Sequence, residues 1–270
     1  MRKTLLLTAL LVAATGAHAE DGTRVGVGVD YASGTFGTGI DTRILQIPLT
    51  ASVQRGAWSF KASVPWMRVD GASNVVPGLG PVPNSGLIGR GGLLPIGGGM
   101  PGAGGDAVAQ DSSASGIGDL TLAATYAVPI GGAAGVNLSG NAKIATADES
   151  KGLGTGANDV GVAVDAWRNV GRATLFGGAG YTHLGESPYI DVDAVANASA
   201  GMSVAAGPAR LGAAYAWRES ASSLSEERSE ITGFVALPGG THNEVQLYAT
   251  KGLSDGSANW GAGVSFTAGF

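Results

Sequence analysis

The chain has 270 residues, a net charge of −5, no cysteine and 47 glycines. Without cysteine there is neither a disulfide framework nor a thiolate metal site, and an acidic balance argues against nucleic acid, which asks for a basic face. So much glycine signals collagen, disorder or β structure, and no Gly-x-y period is present.

The N-terminus reads "MRKTLLLTALLVAATGAHAED", with basic Arg2 and Lys3, an apolar run from Leu5 to Ala14, and the small-x-small site Ala17-His18-Ala19. This pattern predicts a secretory signal peptide over residues 1–19, cleaved after Ala19. The apolar run is shorter than the roughly 20 residues a spanning helix needs. Removing Arg2 and Lys3 takes the net charge from −5 to −7. No later apolar run is long enough to span as a helix.

From residue 20 on, twelve segments carry strand periodicity, near 23–33, 41–54, 57–69, 116–128, 135–147, 158–168, 173–184, 192–205, 209–219, 227–237, 243–252 and 258–270. In the second, Leu45, Ile47, Leu49, Ala51 and Val53 oppose Thr42, Gln46, Thr50, Ser52 and Gln54. In the fourth, Leu120, Leu122, Ala124, Tyr126 and Val128 oppose Asp119, Thr121 and Thr125. In the sixth, Val160, Val162, Val164 and Ala166 oppose Asp159 and Asp165. A period of two places alternate side chains on opposite faces of a sheet. No helical segment is available to cover so many apolar faces, and lipid is the economical cover. The fold class predicted for residues 20–270 is therefore all-β: a transmembrane, antiparallel, up-and-down β-barrel of about 12 strands in the bacterial outer membrane.

The connections alternate in length. "QRGA", "VPIGGAAG", "RNVGRA", "AAGPA" and "LPGGTHN" are short, whereas "DESKGLGTGA", "GESPYIDV", "RESASSLSEERS" and "SDGSAN" are longer. Outer-membrane barrels place short turns at the periplasmic rim and long loops outside. Tyr31, Trp66, Tyr181, Trp217 and Trp260 then gather near the long-loop rim, and Trp58, Tyr126, Phe266 and Phe270 near the short-turn rim. Such girdles suit the two membrane interfaces. The closing stretch "NWGAGVSFTAGF" alternates strictly, with Trp260, Ala262, Val264, Phe266, Ala268 and Phe270 on one face.

Parity sends charge into the lumen: Arg24, Lys61, Lys143, Arg210, Arg218 and Arg228, against Asp30, Asp119, Asp159, Asp165, Asp193, Glu230 and Glu244. Opposed charges in a narrow lumen either line a solute pathway or pair into a network that stiffens a filled barrel. Residues 70–115 form an exceptionally long Gly- and Pro-rich loop. Its Val75, Val76, Leu79, Leu87, Ile88, Leu93, Leu94, Ile96 and Met100 are odd for a solvated tip. Two readings stand: a surface loop, or a plug folded into the lumen with Arg90 meeting lumen carboxylates.

Chemistry is sparse elsewhere. After processing, only His183 and His242 remain, so no transition-metal site and no cofactor are expected. Asp148, Glu149, Asp191 and Asp193 read as solvated loop acids rather than a divalent-cation site. "GLGTGAND" lacks the Lys-Ser/Thr and following helix of a phosphate loop. An outer-face lipid hydrolase centred on His183 is the catalytic alternative, but no Ser–Asn motif accompanies it, and a non-enzyme is expected.

Three stretches, "ASGIGDLTLAATYAV", "GTGANDVGVAVDAWRNVGRATLFGGAGYTHLGES" and "YATKGLSDGSANWGAGVSF", together resemble the MetA-pathway of phenol degradation family of bacterial outer-membrane proteins, over roughly residues 113–270. The resemblance implies an outer-membrane transporter for small solutes, aromatic or hydrophobic compounds among them. A structural or adhesion barrel without transport is the alternative. The terminal Phe270 resembles the aromatic end of outer-membrane barrels, implying recognition by the barrel-assembly machinery. Lipids, lipopolysaccharide and a small solute are the implied partners, and nucleic acid is not.

Overall fold

A computed structural model describes residues 21–77, 79–81, 111–128, 130–186, 192, 194–221 and 225–270. The predicted signal peptide, Arg90, Asp191 and Asp193 lie outside the described residues. In chain order the strands are β1 (Gly22–Gly34), β2 (Thr42–Arg55), β3 (Trp58–Ala72), β4 (Val75–Val76), β5 (Gly80–Pro81), β6 (Asp111–Ile117), β7 (Leu120–Val128) and β8 (Ala134–Ile144). They continue with β9 (Asp159–Val170), β10 (Ala173–His183), β11 (Val195–Ala206), β12 (Ala209–Arg218), β13 (Arg228–Pro238), β14 (Glu244–Gly252) and β15 (Trp260–Gly269). One single-turn 3-10 helix, Glu149–Lys151, lies in the loop before β9.

The strands of the large sheet pair antiparallel in chain order, with β3 taking both β6 and β7, and β1 pairs with β15 from Arg24↔Gly269 to Ser33↔Trp260. The sheet is thus a closed barrel. Strands β6 and β7 lie in line along β3 and make a single crossing, so the barrel has 12 strands. Closure leaves no unpaired edge, which hydrocarbon would penalise at every N–H and C=O.

Three of the short turns have two residues, Gly56-Ala57, Gly171-Arg172 and Gly207-Pro208, between the paired ends Arg55↔Trp58, Val170↔Ala173 and Ala206↔Ala209. In each, only the first residue has a positive φ (55°, 61° and 62°). That is the II′ pattern, whose twist matches the flanking strands; glycine comes first because a side chain there would be strained.

The outer face is apolar along β1 (Val25, Val27, Val29), β9 (Val160, Val162, Val164) and β14–β15 (Leu247, Val264, Phe266). Val162 is 65% exposed, a fraction that only lipid makes tolerable over so wide a band. The girdles form as parity requires: Tyr31 packs on Trp260 at 5.3 Å between ring centroids, and Trp58 on Tyr126 at 5.0 Å. Trp217 Nε1 donates to Glu227 Oε2 at 2.9 Å near the long-loop rim.

Two features depart from simple alternation. The loop predicted over 70–115 is shorter at both ends, because β3 runs to Ala72 and pairs there with Asp111 of β6. Between Trp66↔Ile117 and Ser63↔Thr121 the β6–β7 side carries one extra residue, a β-bulge around Gly118 and Asp119. The bulge reverses parity: Ile117 faces outward before it, Leu122 after it.

The second departure is aromatic. Trp167, Phe176, Phe234 and Tyr248 point inward, each directly opposite a glycine on the next strand: Gly135, Gly201, Gly212 and Gly263. A Cβ at Gly135 would lie 2.5 Å from the indole Nε1, and one at Gly201 2.5 Å from the Phe176 ring. The rings therefore lie flat on glycine backbone, and a ring is kept against the wall instead of crossing the lumen. Val at Gly212 should push Phe234 off the wall and lower stability by about 1–3 kcal/mol. Ala at outward-facing Gly233, with nothing within 4 Å, should change little. Urea unfolding of the refolded barrel in lipid checks both.

Candidate functional site

The inward faces of the strands and the segments folded over them make the lumen, built in layers from the long-loop rim downward. At the rim, Phe36, Ile44, Met67, Val69, Ala72, Val75, Leu153 and Ala258 pack into one buried apolar cluster. Val76, Leu79, Leu184, Val195 and Ala221 form a second, with Val192 against it. Both draw on the β4–β5 hairpin, whose Val75 and Val76 are 1% and 2% exposed. The hairpin is the first part of the long loop, so its beginning folds inward across the mouth. Gly71 makes that bend with φ 131° while its Cα sits against the backbone of Asp41 and Thr42, leaving no room for a Cβ. Thr42 Oγ1, fully buried, accepts the Ala72 N–H at 3.0 Å and fixes the crossing.

Beneath this cap lies an ionic belt. Lys143 Nζ reaches Asp159 Oδ2 at 3.1 Å, Asp119 Oδ2 at 3.5 Å and Thr155 Oγ1 at 2.7 Å, with the lysine side chain 4% exposed. Asp119, aimed inward by the bulge, also accepts the backbone N–H groups of Thr146 (3.0 Å) and Ala147 (2.8 Å) through Oδ1. Asp159 Oδ1 accepts the Gly185 N–H at 3.1 Å. The triad therefore ties β7, β8 and β9 to the loops on either side. Arg228 lies 3.4 Å from Glu230 on the same wall, and Arg218 is buried at the outer end of β12.

Lower down, a cavity of about 90 Å³ opens against β1, β2, β3, β7, β14 and β15. Asp30, Lys61, Gln246 and Tyr248 line it with Thr50, Ser63, Thr121 and Thr267, and Pro48, Pro65, Met67, Pro77 and Leu153 supply apolar wall. Tyr248 OH donates to Asp30 Oδ1 across the closing strands. Opposite, toward the short-turn rim, Trp167, Phe176 and Phe234 form an apolar cluster with Ala214 and Tyr248. At that rim Arg210 Nη1 donates to Ser203 Oγ (3.1 Å) and Thr174 Oγ1 (3.3 Å). Register also carries Arg24, Asp165 and Glu244 on the inward face, with Asp165 lying over Gly178.

Of the lumen charges named from sequence, every described one stands on the inward face, but they divide into different settings. Asp119, Lys143 and Asp159 are bound to one another, Asp30 and Lys61 line the cavity, and Arg24, Arg210 and Glu244 stand near the short-turn rim. Trp167, Phe176, Phe234, Tyr248 and Gln246 were missed by a reading that tracked charge. Their parity was the available signal, shared with inward charges on the same strand for Trp167, Phe234, Tyr248 and Gln246, and with the inward Thr174 for Phe176. His183 ends β10 on the outer face, and among the described residues its side chain has no hydrogen-bond partner. Of the loop acids, Asp148 pairs with Lys151 at 3.1 Å, and the Ser150 hydroxyl together with Lys151 holds its carboxyl below the usual range. Among the described residues no three potential ligands gather around a metal position.

A closed antiparallel barrel with an apolar outer band, aromatic girdles and a charged, partly filled lumen is an outer-membrane β-barrel. The family model described as "Putative MetA-pathway of phenol degradation" matches residues 80–270, and the chain belongs to that family. Solved structures with the same fold include an outer membrane channel from Pseudomonas putida F1. It has TM-score 0.66 and 12% identity, over 96% of this chain and 98% of that one. The translocator domain of the autotransporter NalP from Neisseria meningitidis is similar at TM-score 0.51 and 12% identity, over 99% and 94%. The toluene transporter TbuX from Ralstonia pickettii follows at 0.50 and 11%, over 95% and 92%. At these identities the likeness shows the fold alone. No curated protein matches the sequence.

Replacing Lys143 by Met removes the cation between two buried carboxylates. Breaking a buried ionic group from one side costs about 3–5 kcal/mol, so the variant should unfold at lower urea. Its 145–158 loop should also be cut faster by added protease in intact vesicles.

Proposed function

We propose that the protein is an outer-membrane channel that passes small solutes passively, including compounds with an aromatic or other apolar body. The observation that carries this reading is the lumen cavity, which combines Asp30, Lys61, Tyr248 and Gln246 with the apolar Pro48, Pro65 and Met67. Such a wall suits a solute with one polar end, since it offers hydrogen bonds at one side and dry contact at the other. Family membership supports the link to phenolic compounds, and the channel from Pseudomonas putida F1 and the toluene transporter TbuX share the barrel.

In this reading the β4–β5 hairpin and its apolar clusters are the gate. They close the outer mouth, and solute passes when the hairpin lifts from Leu153, Leu184 and Val195. The ionic belt is the fixed frame against which the hairpin seats, and the Trp167–Phe176–Phe234 cluster narrows the exit. Arg24, Arg210 and Glu244 set the charge that a solute meets on leaving. Lipopolysaccharide and lipid contact the outer face, and the barrel-assembly machinery inserts the chain.

Planar-bilayer recording tests the gate. Replacing residues 74–110 by a short Gly-Ser linker should raise single-channel conductance at least severalfold over the full-length barrel. Equal conductance in the two proteins would show that the hairpin does not obstruct the lumen.

A further inference from the structure

The cavity holds more hydrogen-bond donors than its own wall can use. Gln246 is 6% exposed and lines the cavity, and among the described residues its Nε2 has no hydrogen-bond partner. A buried amide left in this way is uncommon, because the lost hydration is not replaced. Lys61 lines the same cavity from β3, and among the described residues its ammonium makes neither an ion pair nor a hydrogen bond.

The two carboxylates that border the space are already engaged. Asp30 accepts the Tyr248 hydroxyl. Asp119 faces Lys143 at 3.5 Å and takes two backbone N–H groups at 3.0 and 2.8 Å. Asp30 Oδ1 and both oxygens of Asp119 thus already hold partners, while one cation and one amide donor at the cavity do not, among the described residues. One water needs about 10–15 Å³ on the same measure, so the roughly 90 Å³ present admits a polar head group and part of a body.

We propose that this cavity is a subsite for small organic carboxylates with an apolar or aromatic body. The carboxylate sits between Lys61 and Gln246, and the body lies against Pro48, Pro65 and Met67. Charge-assisted hydrogen bonds to a carboxylate are the stronger kind, and the apolar wall distinguishes such a ligand from an inorganic anion. The proposal rests on the transport reading for its purpose, since a subsite within a lumen concentrates solute on the way through.

Benzoate is the probe, and benzyl alcohol, of nearly the same shape but uncharged, is its control. Both are titrated into the refolded barrel in detergent, with binding read by saturation-transfer NMR and calorimetry. Benzoate should bind at least tenfold more tightly than benzyl alcohol. Lys61→Met and Gln246→Leu should each erase that preference, whereas Lys61→Arg should keep it. Heat-modifiable gel mobility establishes that each variant is folded, and either loss variant suffices if the other fails to fold. Equal affinity for the two probes, no saturable benzoate binding, or a preference that survives in a folded loss variant overturns the proposal. A bilayer that stays silent even after loop shortening, while benzoate still binds with this pattern, would end the transport reading and leave the subsite standing.

Discussion

Every other property of this molecule depends on the hydrogen-bond requirement of a backbone in hydrocarbon. An unpaired N–H or C=O there has no water to turn to, so the sheet must close, and it closes through the β1–β15 ladder. Closure fixes which side chains meet lipid and which meet the lumen, because parity cannot change along a strand without a bulge. The bulge at Gly118–Asp119 is where the chain takes that option. Its effect is to turn Asp119 inward, so a backbone irregularity supplies one corner of the buried ionic triad.

The lumen follows from the same geometry. A 12-stranded barrel is wide enough that short side chains alone would leave it open, and long ones crossing it would fill it. This chain does some of each. Aromatic rings laid on glycines thicken the wall without bridging it, and the Lys143 triad fills the outer part. Segments from five loops and the β4–β5 hairpin cover the mouth with buried apolar side chains. What remains is an off-centre cavity whose wall is polar on one side and apolar on the other. A wall with those two characters discriminates solutes by where their polar group lies, and electrostatics then decides the sign of charge preferred.

Much of this was legible in the sequence. Val160, Val162 and Val164 against Asp159 and Asp165 gave both the strand and the side each residue faces. Gly56, Gly171 and Gly207 marked turns short enough to bind neighbouring strands in register. Family membership was foreshadowed by the stretches from residue 113 onward, and the model match from residue 80 covers them. The contents of the lumen were less legible. Parity says that Lys61 and Lys143 face inward, but one lysine is locked between Asp119 and Asp159 while the other stands at a cavity with no partner among the described residues. That contrast arises from strand stagger and from loops returning over the mouth, which bring together residues far apart in the chain.

The sequence by itself determined the strand count, the direction most side chains take away from the Gly118–Asp119 bulge and the apolar band, because these follow from a period of two and from turn chemistry, which are local. Only the tertiary structure decided that Asp119 joins Lys143, that Phe234 lies on Gly212, that Val75 and Val76 cover the mouth, and that Gln246 Nε2 is left without a hydrogen-bond partner among the described residues. Those outcomes depend on barrel closure and cross-strand register, which no single segment carries.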